Sequence, residues 1–171
     1  EFLETAKIIN ELRYKAKFVL VGKEDKDSLV SLSKNKINKW VTDGIVEWWG
    51  YSNKMEDILK KAHIIVFPSF YGEGLPKILI EASATGRAII TSDWPGCRDA
   101  IENNVTGALV PIRNVNALVD AVINLLNNPE KYKLMGVKGR KRAEKLFSLD
   151  EVCHNHLIIF NSLTKNFYNE A

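Results

Sequence analysis

Hydrophobic and polar positions alternate along this chain with two periods. Residues 2–13 (FLETAKIINELR) place Phe2, Leu3, Ala6, Ile9 and Leu12 on one face of a helix. The apolar run KFVLVG, 17–22, ends in a glycine and predicts a short strand buried on both faces. Residues 26–40 scatter leucines, Ile37 and Trp40 among lysines, the pattern of a surface helix. GIVEWWG, 44–50, predicts a second strand, MEDILKKA, 55–62, a short helix, and HIIVFPS, 63–69, a third strand. The stretch from Leu75 to Thr85 predicts a helix closed by Gly86 at its C′ position. RAIITS, 87–92, and GALVP, 107–111, predict the fourth and fifth strands, and helices follow over 114–127, 129–146 and 148–167. Short strands alternating with helices mean βαβ units, a parallel sheet and helices on both of its faces.

The last of these helices stands apart. Ser148 and Glu151 have the spacing of a capping box at its start. Val152, Leu157, Ile158, Ile159, Phe160, Leu163 and Phe167 supply more apolar surface than one buried stripe needs, so a partner surface is expected. With 171 residues the chain is one domain, or one and a small appendage, and can bury a core without disulfides or metals. Its two cysteines, Cys97 and Cys153, form no framework and suit a reduced, cytoplasmic setting. The longest apolar runs fall far short of the roughly 20 residues that span a bilayer. A net charge of +3 is too small to argue for nucleic acid. The chain begins at Glu1, inside a predicted helix, which reads as a piece of a longer protein.

Candidate chemistry concentrates after the third strand. In open α/β sheets ligands bind beyond the carboxyl ends of the strands, where loops meet helix N-termini. Here the loop FYGEGLP, 70–76, carries Gly72 and Gly74, and Pro76 opens the next helix, where a missing N–H does no harm. The amides and dipole at such a start attract phosphate. Glu73 lies in the loop, and Glu81 interrupts an apolar helix between Ile80 and Ala82. Two readings of this pair stand on physics alone: ligands for a bound molecule, or a helix-start charge and a half-exposed side chain. His63, His154 and His156 are dispersed; the H-x-H pair lies about 200° apart on a helix and is a poor chelate, so no metal site is expected. Trp48 and Trp49 are expected to pack in or beside the sheet. The basic run Lys138, Arg140, Lys141, Arg142, Lys145 reads as a solvated helix face or a contact for anionic lipid.

The stretch from Pro68 to Pro111 closely resembles the donor-binding half of the retaining glycosyltransferases of family four. Their pattern sets a Glu-x7-Glu pair within P-S-…-E-G-x-P-…-E-A-x-A-x-G, and Pro68, Ser69, Glu73, Gly74, Pro76, Glu81, Ala82, Ala84 and Gly86 stand in register with it. Gly96, Asp99, Gly107, Leu109, Val110 and Pro111 meet the later G-x-x-(E/D) and N-G-x-L-V-P elements. The resemblance is strong over 62–150 and weak before 44.

It implies a GT-B fold, two Rossmann-like domains facing across a cleft, with residues 1–171 as the C-terminal, nucleotide-sugar-binding domain. The helix from 148 on then packs toward an N-terminal domain that holds the acceptor site. The family's Arg and Lys that grip the donor diphosphate precede residue 1. By the same resemblance, Glu73 is the catalytic-site carboxylate and contacts the donor sugar. Gly72, Gly74 and Leu75 approach the sugar or its distal phosphate, Pro76 and Lys77 add positive potential, and Glu81 accepts from both ribose hydroxyls. Gly50 and Tyr51 meet the base. Arg98 reaches the diphosphate or pairs with Asp93 or Asp99. The implied donor is a UDP-sugar or another nucleotide-diphosphate sugar, with no cofactor and no metal. The implied acceptor is a saccharide or lipid-linked glycan, as in bacterial lipopolysaccharide and capsule synthesis, at the cytoplasmic side of a membrane. A sugar-nucleotide epimerase and a non-catalytic binding module on the same fold are the rivals; the E-G-x-P loop opposes the first and the two carboxylates the second. A receiver-like signalling domain requires acids after the first strand, where this chain has Lys23.

Overall fold

The computed structural model describes residues 1–24, 32–72 and 74–169. In chain order the elements are α1 (Phe2–Glu11), β1 (Val19–Leu20), α2 (Lys34–Thr42), β2 (Glu47–Trp48), α3 (Met55–Lys61), β3 (Ile64–Phe67), α4 (Lys77–Ala84), β4 (Ala88–Ser92), α5 (Cys97–Ala100), β5 (Gly107–Val110), α6 (Val115–Leu126), α7 (Pro129–Leu146) and α8 (Leu149–Asn169). All strand pairs are parallel: β1 with β2, and β3-β4-β5 with β4 central.

Period two separates the two cores. Ile64, Val66, Ala88, Ile90, Ala108 and Val110 point to one side, into a core shared with Ala6 and Ile9 of α1 and Leu118, Val122 and Leu125 of α6. Ile65, Phe67, Ile89 and Leu109 point to the other, against Leu59 of α3, Leu79 and Ala82 of α4, and Cys97 and Ala100 of α5. Phe18 and Val46, which lead into β1 and β2, join the first core, so both strand groups rest on one apolar mass. The outcome is the three-layer, Rossmann-like α/β arrangement that the alternation predicts. All five residues of β4 are buried, as a central parallel strand requires.

The strands are shorter than the apolar runs suggest. Pairing of the first two nevertheless extends beyond them: Glu47 N–H donates to the Phe18 carbonyl at 2.8 Å, Trp49 N–H to Leu20 at 3.0 Å, and Gly22 N–H to Gly50 at 2.8 Å. Other departures have local causes. Leu12, expected on the buried face of α1, is 54% exposed, because the helix ends at Glu11 and the chain turns away. The helix expected over 26–40 begins at Lys34, capped by the Ser33 hydroxyl, and residues 25–31 lie outside the described residues. The single turn α5 has no counterpart in the sequence reading; four residues are too few for a period to register. Of the capping box, only the half from Glu151 N–H to Ser148 Oγ (3.3 Å) forms, since the Glu151 carboxylate instead accepts from Asn155.

The helix α6 is capped in the ordinary way, by Asn114 Oδ1 accepting from Ala117 N–H at 2.9 Å. Replacing Asn114 with alanine is expected to lower stability by about 1 kcal/mol, read as a shift of the urea midpoint at unchanged slope.

Candidate functional site

The carboxyl ends of β3, β4 and β5 are tied together. Thr91 Oγ1 donates to the Phe67 carbonyl at 2.7 Å, and Asp93 N–H donates to Val110 at 2.7 Å. The chain leaves β3 through Pro68 and the nearly buried Ser69 into the loop before α4. Two supports hold that loop. The Phe70 and Tyr71 rings stack at 5.1 Å between centroids, 18° from parallel. Trp94, beyond the end of β4, donates its indole N–H to the Tyr71 carbonyl at 3.2 Å. At the far end of the loop, Leu75 packs into the second core and Pro76 is buried as the residue preceding α4.

The start of α4 is electrostatically unusual. No side chain caps it, and its first turn holds no acid. A cation, Lys77, occupies its first position, where the helix dipole disfavours positive charge. Its Nζ lies 3.3 Å from Glu81 Oε1, an i,i+4 pair in the weaker orientation, with lysine N-terminal to glutamate. The Lys77 side chain is 87% exposed and that of Glu81 34%, so the pair contributes no more than a few tenths of a kcal/mol. Uncapped amides, the positive end of the dipole and an ammonium group thus converge on one spot. An anion seated there would gain from all three. Among the described residues, chain neighbours aside, nothing lies within 4 Å of a Cβ built on Gly72 or Gly74, which leaves room for a ligand to approach the backbone there.

The sequence-predicted residues that the structure describes fall in three groups, with Glu73 outside them. Gly72, Gly74, Leu75, Pro76, Lys77 and Glu81 lie together on this loop and the first turns of α4. Glu73 lies outside the described residues. Arg98, on α5, takes the local alternative: its Nε is 2.6 Å from Asp93 Oδ1, an exposed pair at the end of β4. Gly50 and Tyr51 follow β2; Gly50 has φ 69°, and Tyr51 is 69% exposed with Lys23 Nζ 5.5 Å above its ring.

Sequence reasoning assigned no role to Phe70, Tyr71, Trp94 or Arg113. A signal was present: all four follow the carboxyl ends of strands. Trp48 and Trp49 stand beside the sheet as expected. Trp48 donates to the Gly22 carbonyl at 3.0 Å, while Trp49 and Lys17 hold the Glu47 carboxyl below its ordinary range, the indole N–H contributing most.

Two grooves lie elsewhere on the described residues. One of about 600 Å³ runs beside β2 between Phe18, Val41, Ile45 and Trp49, and one of about 350 Å³ lies beside β5 and α6. Among the described residues no group of three or more His, Cys, Asp and Glu side chains is disposed to hold a metal ion. No helix of the described residues is long and apolar enough to cross a membrane. In the basic run of α7, Arg140 pairs with Glu144 at 2.8 Å and Arg142 donates to the Asp99 carbonyl at 3.2 Å.

Comparison with known proteins bears on this geometry. The family described as Glycosyl transferases group 1 matches residues 1–128. The N,N'-diacetylbacillosaminyl-diphospho-undecaprenol alpha-1,3-N-acetylgalactosaminyltransferase of Campylobacter jejuni is 32% identical over 167 residues, covering 97% of this chain and 42% of that one. The UDP-Gal:alpha-D-GlcNAc-diphosphoundecaprenol alpha-1,3-galactosyltransferase of Escherichia coli is 30% identical, covering 86% and 40%. Among solved structures, S. aureus TarM in complex with UDP superposes with a TM-score of 0.80 at 27% identity, over 93% of this chain and 32% of that one. The chain spans about two fifths of the length of the curated relatives it matches.

Proposed function

Because this chain belongs to the group 1 glycosyl transferases, we propose that it is the donor-binding half of an enzyme that moves a sugar from a nucleotide-diphosphate sugar to a saccharide or lipid-linked acceptor. The observation that carries the reading is the start of α4: an uncapped helix N-terminus with a lysine in place of an acid, behind an open glycine loop. A diphosphate supplies the negative charge this spot lacks.

The proposed roles are those the family resemblance implies, placed on the residues the structure describes where it describes them. The diphosphate lies against the α4 amides and Lys77, with the Gly74 and Leu75 amides toward the sugar. Glu81, one turn further along the helix, accepts from the ribose hydroxyls, a task for an acceptor-only carboxylate. Glu73 contacts the donor sugar, and Gly50 and Tyr51 border the base. The Arg98–Asp93 pair flanks the diphosphate. A donor of the UDP type is supported by the UDP in the TarM complex and by the UDP-Gal in the name of the E. coli relative. The alpha linkages in the names of both relatives are what retention gives from an α-linked donor. Departure of the diphosphate and attack of the acceptor then occur on one face of the sugar. The protein's main task is to stabilise the leaving phosphate, and no carboxylate acts as nucleophile. The scheme uses no metal and no cofactor.

The acceptor in this scheme sits on a preceding N-terminal domain, across a cleft of the GT-B kind, and α8 packs toward that domain. Its exposed Leu157, Ile158, Phe160 and Leu163 support that role. Both relatives are named for diphosphoundecaprenol-linked substrates. A lipid-linked acceptor brings the enzyme to the cytoplasmic face of a membrane, in surface-glycan synthesis.

An amide NMR titration of the chain with UDP, GDP and ADP at millimolar concentration tests the reading. Shifts confined to 50–51, 72–81 and 96–99, with UDP giving the largest, are expected. Absence of shifts with all three, both here and in a chain extended to include the preceding Arg and Lys, would remove the nucleotide site. The same chain is expected to transfer no sugar to a lipid-linked or saccharide acceptor from a radiolabelled UDP-hexose. Robust turnover would overturn the two-domain scheme and leave the nucleotide site intact.

A further inference from the structure

Arg113 has no part in the roles above, yet it joins two segments that lie more than 40 residues apart in sequence. It follows the carboxyl end of β5, and its guanidinium carbon sits 4.7 Å from the centre of the Phe70 ring. Phe70 stacks in turn on Tyr71, whose carbonyl accepts from Trp94. The loop before α4 is thereby gripped from β5 through Arg113 and from β4 through Trp94. Two further observations single out Arg113. Its φ of 54° lies in the left-handed region, which residues with a Cβ rarely adopt. Arg13, at φ 60°, sits just past the end of α1, where left-handed geometry is ordinary; Arg113 terminates no helix. The other cations at this rim, Lys77 and Arg98, each have a carboxylate within 3.3 Å, whereas Arg113 has none among the described residues. Its charge is directed at an aromatic face, an interaction that favours arginine for its planar, weakly hydrated head group.

We infer that Arg113 is a positioning residue: its cation–π contact on the Phe70–Tyr71 stack holds the glycine loop in the conformation that receives the donor diphosphate. The inference rests on the proposed donor site for its consequence, but the hold on the loop is a property of the chain without ligand.

Three variants separate the alternatives. Arg113→Gly removes the guanidinium and also relieves the backbone, so a purely structural residue here gives a protein as stable as the wild type or more so. Arg113→Lys keeps the charge, and Arg113→Ala removes the charge but keeps the strain. The first measurement is backbone order parameters of residues 70–72, 74 and 75 by ¹⁵N relaxation, without ligand. In the wild type they are expected near the rigid value of about 0.85, and in Arg113→Gly and Arg113→Ala near or below about 0.6, with Arg113→Lys between. The second is the Kd for UDP, expected to rise about five-fold in Arg113→Gly and about two-fold in Arg113→Lys, the scale of one exposed cation–π contact. Unchanged order parameters in folded Arg113→Gly overturn the inference, as does a wild-type loop that is already mobile. If neither this chain nor one extended to include the preceding Arg and Lys binds UDP, the donor-site reading falls, while the order parameters still decide the role of Arg113.

Discussion

Glu81→Ala is expected to weaken UDP binding by about 1.5–3 kcal/mol, roughly 10- to 150-fold, without unfolding the chain. Two features of the structure underlie the size and the safety of this change. Glu81 sits one helical turn beyond the anion-attracting start of α4, with its side chain about one third exposed, so its oxygens are free to accept from a ligand. Among the described residues its ion pair is the solvent-exposed contact with Lys77, whose loss costs little stability. Binding should therefore fall much further than the melting temperature. Glu81→Gln keeps one acceptor oxygen and the shape, and is expected to recover part of the loss. Isothermal titration with UDP beside a thermal melt checks both. Unchanged affinity in Glu81→Ala would take Glu81 out of the nucleotide site, whereas equal losses of affinity and stability would make it structural.

The second large effect is expected at the opposite end of the strands. There α7 crosses the amino ends of β4 and β5, and Gly136 lets it approach the turn between α4 and β4. A Cβ added at Gly136 overlaps the Gly86 carbonyl oxygen and comes within 2.8 Å of its carbon. Both are backbone atoms of a residue at φ 69°, which has little room to move. Gly139, three residues along, is different: its nearest neighbours are 3.8–3.9 Å from such a Cβ, ordinary van der Waals contact. Helix propensity alone favours alanine over glycine at either position by about 1 kcal/mol. At Gly139 nothing opposes that gain, so Gly139→Ala is expected to stabilise by up to about 1 kcal/mol. At Gly136 the overlap forces helix and turn apart at a cost of about 1–3 kcal/mol or more, and the net change is destabilising. Opposite signs for two identical substitutions on one helix are read directly from urea unfolding. Equal signs would mean that α7 does not seat against Gly86. Gly136→Ala should also reach the functional face, since Gly86 ends the helix that carries Lys77 and Glu81.

Much of this was legible in the sequence because it is periodic and local. Apolar runs of strand length alternating with amphipathic segments specify parallel βα units. The apolar run 17–22 predicts a strand covered on both sides, yet β1 there is only half-buried because it lies in the two-stranded sheet; the fully covered strand is the central β4. Gly74, Pro76 and Gly86 mark the open loop, the start and the end of α4 from one-residue chemistry. The placing of Gly72, Leu75, Lys77 and Glu81 on one short segment follows from their adjacency alone.

Pairs between distant elements were decided only by the tertiary structure. Arg98 had three candidate partners within reach, and the turn at α5 chose Asp93. Arg113 meets Phe70 because the sheet order places the end of β5 across β4 from the end of β3, and no local period encodes strand order. Nothing in the sequence marked Gly136; against Gly86 it is a point of close backbone approach. The last helix shows the same division from the other side. Its surplus of apolar residues is plain in the sequence, and in the fold Leu149, Leu157, Ile158, Ile159, Phe160 and Leu163 remain exposed. Periodicity states how much apolar surface an element must cover; only the arrangement of the other elements states what covers it.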